Sequence, residues 1–278
     1  MPNYIFSDAF AEIESIIGHI EKNSDGFAEQ LRAHQIPHLS FSQIKSIEFC
    51  EQQYYIQYIE NIELNPIPPY FVKGKLLHRV IAETYYQLQC DQNQPIAGLQ
   101  HFIDTAGLEF SHHQHIMNAT TLHLQNLWKG YEILGIEQPF VIKLDNSLPP
   151  LVGIIDLILK KDNEIVIVDH KTGSTFYDKD VLQGIIYKWF VSEKFQAVDV
   201  LFYYDNYRWV NNLDRIRKPA LFRENITLPN QNFELAKERI VNGFNDIQRI
   251  RKKATSSLSP SFRKNGECFR CPYRSLCN

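Results

Sequence analysis

Two aspartates and a lysine are set into apolar sequence in the stretch LVGIIDLILKKDNEIVIVDHKTG, residues 151–173. Two runs rich in Val, Ile and Leu flank a polar turn, which predicts a hairpin of buried strands. Side chains two apart on a strand point to the same face, so Asp169 and Lys171 project together. Hairpin pairing can bring Asp156 alongside them. We therefore expect two carboxylates and an ammonium to meet in one place.

Buried carboxylates need a compensating cation or hydrogen bonds, because an isolated buried charge is costly. Hard oxygen ligands suit magnesium or manganese, and a nearby lysine can orient the attacking water or stabilise charge on an attacked phosphate. These are the parts of metal-dependent phosphodiester hydrolysis. The residues alone also allow a plainer interpretation, in which Asp156 ends a strand and Asp169 and Lys171 form an ordinary ion pair.

A second group of candidate ligands lies at the C-terminus, where Cys268, Cys271 and Cys277 follow a C-x2-C-x5-C spacing. We expect metal ligation here in preference to disulfides, since no secretion signal is apparent. A closed zinc site or an iron–sulfur cluster needs a fourth ligand. Cys50 is favoured over Cys90, because it lies in a predicted helix beside an aromatic run that can shield a cluster. Free thiols in a loose tail are the alternative.

The surrounding pattern predicts a mixed α/β core. The hairpin is joined by predicted strands at 138–144, 198–204 and 220–228, and predicted helices cover 7–22, 42–58, 72–89, 99–134, 177–194 and 233–253. Gln183 and Tyr187 are four apart and therefore share one helix face. The histidines within 99–134 are interpreted as a polar helix face.

Composition limits the remaining classes. The chain has 278 residues, 44% hydrophobic and 13% aromatic, and can bury a large core as one domain or two tightly joined domains. No long apolar run suggests a membrane span and no signal peptide is apparent, so we expect a cytoplasmic protein. The net charge is only -3. From Arg249 onward, however, eight Lys or Arg face one acid, a distribution that suits phosphates or a solvated helix end.

Taken in order, the motifs resemble the RecB-like branch of the PD-(D/E)xK nuclease superfamily. They are most similar to its iron–sulfur members, which include the CRISPR-associated spacer-acquisition exonucleases and the nuclease domain of AddB. The resemblance runs from about residue 40 to the end of the chain. The matching motifs are G-x-x-x-H at Gly74–His78, G-x-x-D at Gly153–Asp156, D-x-K at Asp169–Lys171, Q-x-x-x-Y at Gln183–Tyr187, and the split cysteines Cys50, Cys268, Cys271 and Cys277.

The resemblance implies a restriction-endonuclease-like core, a mixed central sheet flanked by helices. An N-terminal helical extension would cover 1–40 and the nuclease domain 41–278, with a helical insertion at about 91–136 and an iron–sulfur segment at about 260–278. Asp156, Asp169, His78 and the backbone carbonyl of His170 would ligate Mn²⁺ or Mg²⁺. Lys171 would help to activate the attacking water.

The remaining motif residues would have supporting roles. Gln183 and Tyr187 would contact DNA or support the site, and the four cysteines would hold a structural [4Fe-4S] cluster. Two positions depart from the usual pattern: Asp169 stands where many relatives have Glu, and His170 stands where an aromatic or apolar residue is frequent.

The function implied is a metal-dependent DNA exonuclease that prefers single strands or DNA ends, in repair, recombination or defence including CRISPR adaptation. Protein partners in a repair or CRISPR complex are a further expectation. One rival is a DNA-end-binding subunit of a helicase–nuclease or integrase assembly, whose own nuclease site is accessory or silent. A second rival is a scaffold in which the four cysteines bind zinc.

Overall fold

The computed structural model describes residues 6–20, 25–89, 110–172, 181–197, 199–208, 220–228, 232–257, 260–264, 268 and 271–277. The chain divides into two compact units. Unit 1 comprises Met1–Pro68, Pro139–Gly153 and Gln231–Asn278, and unit 2 comprises Pro69–Gln138 and Ile154–Asn230. Among the described helices, none combines the length and apolar character needed to cross a membrane. The predicted domain boundary at residue 40 and the segment 260–278 stay predictions.

Eight helices and six strands are present in the described part of the chain. The helices are α1 Phe6–His19, α2 Asp25–Ala33, α3 Phe41–Phe49, α4 Glu51–Tyr54, α5 Pro69–Gln89, α6 Phe110–Gln125, α7 Val181–Phe195 and α8 Asn232–Ser256. A π-helical turn, Tyr55–Ile59, continues α4, and a 3₁₀ turn, Arg274–Leu276, lies near the C-terminus. The strands are β1 Leu39–Ser40, β2 Glu132–Ile142, β3 Leu151–Lys161, β4 Glu164–Lys171, β5 Asp199–Arg208 and β6 Ala220–Asn225.

These strands form one mixed sheet. Its order is β1-β3-β4-β5-β6, and β2 also pairs with β3. Strands β3 and β4 are antiparallel, β4 and β5 parallel, and β5 and β6 antiparallel. Val, Ile and Leu dominate β3 and β4, as expected for strands covered on both faces. The mixed α/β fold predicted from the sequence is confirmed.

The predicted hairpin is also confirmed. Its register runs from Lys161 opposite Glu164 to Leu157 opposite Val168. Asp162 in the turn has φ of 53°, the left-handed conformation that tight hairpin turns require. Asp156 precedes Leu157 and Asp169 follows Val168 in the sequence, and Leu157 pairs with Val168. Both carboxylates therefore lie at the open end of the hairpin, away from the turn.

The two faces of β3, β4 and β5 meet different helices of unit 2. Leu157 and Val168 belong to a buried cluster that includes residues of α5 and α6. On the opposite face, Phe202 of β5 packs against α7, where a Cβ at Gly184 would lie 2.8 Å from the Phe202 ring. Because side chains alternate along a strand, successive residues at the end of β4 are directed towards different helices.

Two helix predictions in unit 1 need correction. Helix α3 begins at Phe41, one residue before the predicted start, and its N-cap is Ser40. The Ser40 hydroxyl accepts a hydrogen bond from the Gln43 backbone N–H at 3.2 Å, and the Gln43 side chain accepts one from the Ser40 N–H at 3.1 Å. Cys50 does not lie inside a continuous helix. It is extended, with φ of -164° and ψ of 116°, and separates α3 from α4.

The predicted helix over 99–134 is wrong in its last part. Helix α6 ends at Gln125, and β2 already begins at Glu132. Gly130, with φ of 78°, occupies a left-handed position in the connection that suits glycine. The first part of this prediction and Cys90 lie outside the described residues.

Candidate metal centre and active site

Every residue of the predicted catalytic set lies in unit 2. Asp156 belongs to β3, and Asp169 and Lys171 belong to the end of β4. His78 lies in the third turn of α5. The residues predicted from the sequence are therefore delivered by a helix and by two paired strands, which are rigid elements suited to holding a site.

A potential cation site is formed by one imidazole and two carboxylates. His78 Nδ1 lies 3.5 Å from Asp156 Oδ1 and 3.9 Å from Glu137 Oε1. One ligand atom from each of these three residues can be chosen so that all lie within 4.8 Å of one another. Among the described residues, no other group of three His, Cys, Asp or Glu side chains meets this criterion. Carboxylate oxygens with one imidazole nitrogen suit manganese or magnesium.

Glu137 is not among the residues predicted from the sequence, which placed the start of the strand at residue 138. It belongs to β2 and has φ of 45°, an unusual left-handed conformation for a glutamate inside a strand. Such backbone outliers concentrate at functional sites. The sequence does show an acidic residue, Glu137, among the apolar residues of the strand before the hairpin. That pattern could have identified Glu137 as a candidate ligand.

The second carboxylate is linked to Lys171. Asp169 is 2% exposed, and its Oδ2 lies 2.5 Å from Lys171 Nζ. Lys171 Nζ also donates to Gln183 Oε1 at 3.0 Å, and Gln183 Nε2 donates to Tyr187 Oη at 2.6 Å. Tyr187 Oη in turn donates to the backbone carbonyl of Ile154 at 2.7 Å. The four side chains therefore form one hydrogen-bonded chain that holds the ammonium.

This chain of hydrogen bonds bears on the two roles predicted for Gln183 and Tyr187, contact with DNA or support of the site. Tyr187 is buried, which leaves its side chain little surface for DNA. Gln183 uses its amide oxygen on Lys171 and its amide nitrogen on Tyr187. The geometry favours a supporting role for both residues, although their function stays a prediction.

His170 connects the two faces of the sheet. Its backbone N–H donates to Asp156 Oδ2 at 2.7 Å. Its ring is buried and lies edge-on to His78 and His123, with centroids 6.2 and 6.0 Å away. His123 is itself buried, 2.6 Å from Tyr207 Oη, so the polar-face interpretation is wrong for this histidine.

The charges at the site are strongly coupled. Burial opposes a charge on His78, but the carboxylates of Asp156 and Glu137 outweigh it and raise the His78 pKa to about 9. Burial also opposes ionisation of Asp156, but His78 outweighs it and the Asp156 pKa is lowered. Burial raises the pKa of Asp169, and neighbouring Asp156 adds to that rise against the opposing Lys171. A cation is thus favoured beside Asp156.

Gly74 of the G-x-x-x-H motif has a steric role. A Cβ at this position would lie 3.0 Å from Thr172 Oγ1, directly after the D-x-K motif. The lack of a side chain at Gly74 therefore allows Thr172 to approach the helix closely. The helix carrying His78 can consequently lie close to the end of β4.

The four candidate cysteines all lie in unit 1 and are free thiols. Cys50 Sγ lies 3.7 Å from the carbonyl of Arg263, and backbone turns join Cys268 to Cys271 and Cys271 to Arg274. The pKa of Cys271 is raised by burial and by the other three cysteines, so the four are near neighbours.

The sulfur atoms do not form a closed ligand set. A tetrahedral zinc with bonds of about 2.3 Å would hold its sulfurs about 3.8 Å apart. Among the described residues, no three thiols offer sulfurs within 4.8 Å of one another. The structure thus shows neighbouring thiols only, and the iron–sulfur assignment stays a prediction.

Comparison with known proteins decides the family. A sequence profile of the PD-(D/E)XK nuclease superfamily matches residues 38–278, most of the chain. The chain belongs to this superfamily. The fold predicted from the resemblance is thereby confirmed, while its iron–sulfur branch is not. Members of this superfamily are nucleases that use divalent metals, and the His78, Glu137 and Asp156 group fits such an ion by its donor atoms.

Solved structures show weaker likenesses to this PD-(D/E)XK chain. A putative exonuclease from Eubacterium rectale is 11% identical with a TM-score of 0.48, over 81% of this chain and 84% of the other. The protein SSO0001 is 14% identical with a TM-score of 0.32, over 74% and 94%. Both scores are below 0.5, so neither likeness supports a function. No curated protein matches the sequence.

Proposed function

We propose that this nuclease is a metal-dependent DNA exonuclease that acts on single-stranded DNA or on DNA ends. The observation that carries the proposal is the grouping of Asp156, Asp169 and Lys171 beside His78 and Glu137 at the open end of the hairpin. We further propose a role in repair, recombination or defence, including CRISPR adaptation, with partners from such a complex.

The chain's own residues divide the work of phosphodiester hydrolysis. Asp156, Asp169, His78, Glu137 and the backbone carbonyl of His170 would hold Mn²⁺ or Mg²⁺. When bound, the ion supplies positive charge that stabilises the phosphate as negative charge develops on its oxygens. The hydrogen bond from the His170 backbone N–H fixes the orientation of the Asp156 carboxylate before substrate arrives.

Lys171 would position the attacking water. Its ammonium lies beside Asp169 and is held by Gln183, while its side chain is 42% exposed and can reach substrate. An ammonium in this place can donate a hydrogen bond to the water or to the phosphate. Because that interaction strengthens as charge develops, we expect Lys171 to serve the transition state more than binding.

The test compares two lysines of the same hairpin. Lys171→Ala should abolish cleavage of end-labelled single-stranded and duplex DNA with Mn²⁺ or Mg²⁺, with little change in DNA affinity. Lys160→Ala is the matched control, since Lys160 is exposed on β3. Products from each labelled end would show whether digestion proceeds from one end and in which direction.

The outcomes separate the alternatives. Equal cleavage by wild type and Lys171→Ala would contradict the assigned site. No cleavage by wild type, together with retained binding of DNA ends, would favour a binding subunit with a silent site. Internal cuts without a ladder from either end would contradict the exonuclease assignment but not the nuclease.

We also propose that Cys50, Cys268, Cys271 and Cys277 hold a [4Fe-4S] cluster with a structural role. Its support is their position in one unit and their mutual effect on the pKa of Cys271. A cubane holds its thiolates farther apart than a single zinc ion does, so it does not require three sulfurs within 4.8 Å of one another. Iron, sulfide and zinc analysis of anaerobically purified protein tests this. Stoichiometric zinc without iron would contradict the cluster.

A further inference from the structure

Two neighbouring aromatic side chains at the start of α5 are exposed. Tyr70 is 50% and Phe71 47% exposed, and their ring centroids lie 4.6 Å apart with planes tilted by 36°. Val72 beside them is also exposed. Large aromatic side chains usually bury most of their area, and contiguous exposed apolar area commonly marks a binding surface.

The position of these rings follows from helix geometry. Residues four apart lie above one another on a helix, so Tyr70 and His78 share a row with Gly74 between them. At 1.5 Å per residue, Tyr70 lies about 12 Å along the axis from His78. The exposed aromatic pair is therefore on the helix face that leads to the candidate metal ligand.

The adjacent row of the same helix carries positive charge. Phe71 is followed at intervals of four residues by Lys75 and Arg79, both of which are exposed. Aromatic rings beside a line of cations are the combination that binds single-stranded nucleic acid, in which bases stack on rings and phosphates meet the cations. An apolar protein partner would instead have to desolvate Lys75 and Arg79 at considerable cost.

We propose that Tyr70 and Phe71 form a stacking platform for unpaired bases of a DNA strand that follows α5 to the nuclease site. Lys75 and Arg79 contact its phosphates. At about 3.4 Å per stacked nucleotide, the platform holds bases about three to four nucleotides from the phosphate at His78. This inference rests on the proposed function and names its substrate, an unpaired strand.

The test measures stacking separately from charge. Fluorescence anisotropy, in the Lys171→Ala background with Mn²⁺, compares a single-stranded oligothymidylate with an abasic strand of the same length. The abasic strand keeps the phosphates and lacks the bases. We expect the parent protein to bind the oligothymidylate at least about tenfold more tightly, as stacking on aromatic side chains typically provides.

Removing the two rings should remove that preference. Combined Tyr70→Ala and Phe71→Ala should weaken oligothymidylate binding by about tenfold or more and bring it close to the affinity for the abasic strand. Tyr70→Trp and Phe71→Trp should retain the preference. Phe222→Ala is the matched control, because Phe222 is 43% exposed and lies on the edge strand β6.

The cations should give a different response. Combined Lys75→Gln and Arg79→Gln should flatten the dependence of log affinity on log salt concentration by about 0.7 for each phosphate that is no longer neutralised. The ratio between the oligothymidylate and the abasic strand should remain. Thermal unfolding of each variant shows whether it is folded, and the single alanine variants serve if the double variant is not.

Each outcome bears on one proposal. The platform would be overturned if the preference for bases persists in the Tyr70→Ala, Phe71→Ala double variant, or if Phe222→Ala loses that preference to the same extent. Cleavage of DNA by the wild type would in that case still support the nuclease. A parent protein that binds both strands equally would also overturn the platform. Failure of wild type to cleave or bind any DNA would overturn the proposed function itself.

Discussion

Replacing Glu137 by glutamine tests the candidate ligand that the sequence did not predict. Glu137 Oε1 lies 3.9 Å from His78 Nδ1, and two unit charges about 4 Å apart interact by about 4 kcal/mol at an effective dielectric constant of 20. A divalent cation held by the same carboxylate carries twice the charge of the imidazolium. We take only the figure of about 4 kcal/mol for two unit charges and assume that desolvation cancels half of it, which leaves about 2 kcal/mol. Loss of this interaction corresponds to about a thirtyfold loss of metal affinity.

The assay is titration of the protein with Mn²⁺, in which electron paramagnetic resonance measures the free ion. Glu137→Gln should raise the dissociation constant by about thirtyfold or more, and activity should recover at high Mn²⁺ concentration. Glu132→Gln is the matched control, because Glu132 is exposed on the same strand. Equal dissociation constants for the two variants would refute the assignment of Glu137 as a ligand. Absence of Mn²⁺ binding by wild type would instead refute the metal site as a whole.

Two further predictions concern stability. Gly184→Ala should lower the free energy of unfolding by about 1–3 kcal/mol, because its Cβ would lie 2.8 Å from the buried Phe202 ring. Gly18→Ala is the control and should not lower it, because a Cβ there would have nothing within 4 Å. Chemical denaturation measures the free energy of unfolding of both variants. Burial favours a higher pKa for Glu51, but hydrogen bonds from the Arg249 side chain and the Arg263 backbone outweigh it, so the pKa is lowered from its ordinary value of 4.5. The ionised Glu51 should therefore stabilise the protein above about pH 4.5, and this contribution should be lost as the pH falls further. Unfolding free energies measured from pH 6 to 3 should therefore fall more steeply for wild type than for Glu51→Gln, and parallel curves would contradict this.

The sequence was sufficient for the hairpin and the charges at its end. Long Val and Ile runs around a short polar turn have few structural alternatives, and strand alternation alone places Asp169 and Lys171 on one face. The spacing of four between Gln183 and Tyr187 likewise predicts one helix face, and the structure joins the two by a hydrogen bond. These features depend on local periodicity, which a sequence displays directly.

Features that depend on distant contacts were not predictable. Glu137 enters the site through a left-handed residue in β2, and no local pattern marks that conformation. Cys50 interrupts a sequence of good helical periodicity, and the backbone of Arg263, more than 200 residues later, contacts its thiol. His123 of helix α6 is buried and contacts Tyr207 of strand β5, more than 80 residues later in the sequence. In each case tertiary contacts override the local preference.

The end of β4 shows how three consecutive residues can serve different purposes. Asp169 and Lys171 face α7, where Gln183 holds the ammonium, whereas the His170 ring packs among histidine and tyrosine rings on the other side. Burial lowers the His170 pKa to about 4, so this ring adds no positive charge beside Asp156 at neutral pH. The end of β4 is thus held from both faces of the sheet, and the His170 ring does not compete with a divalent cation for the Asp156 carboxylate.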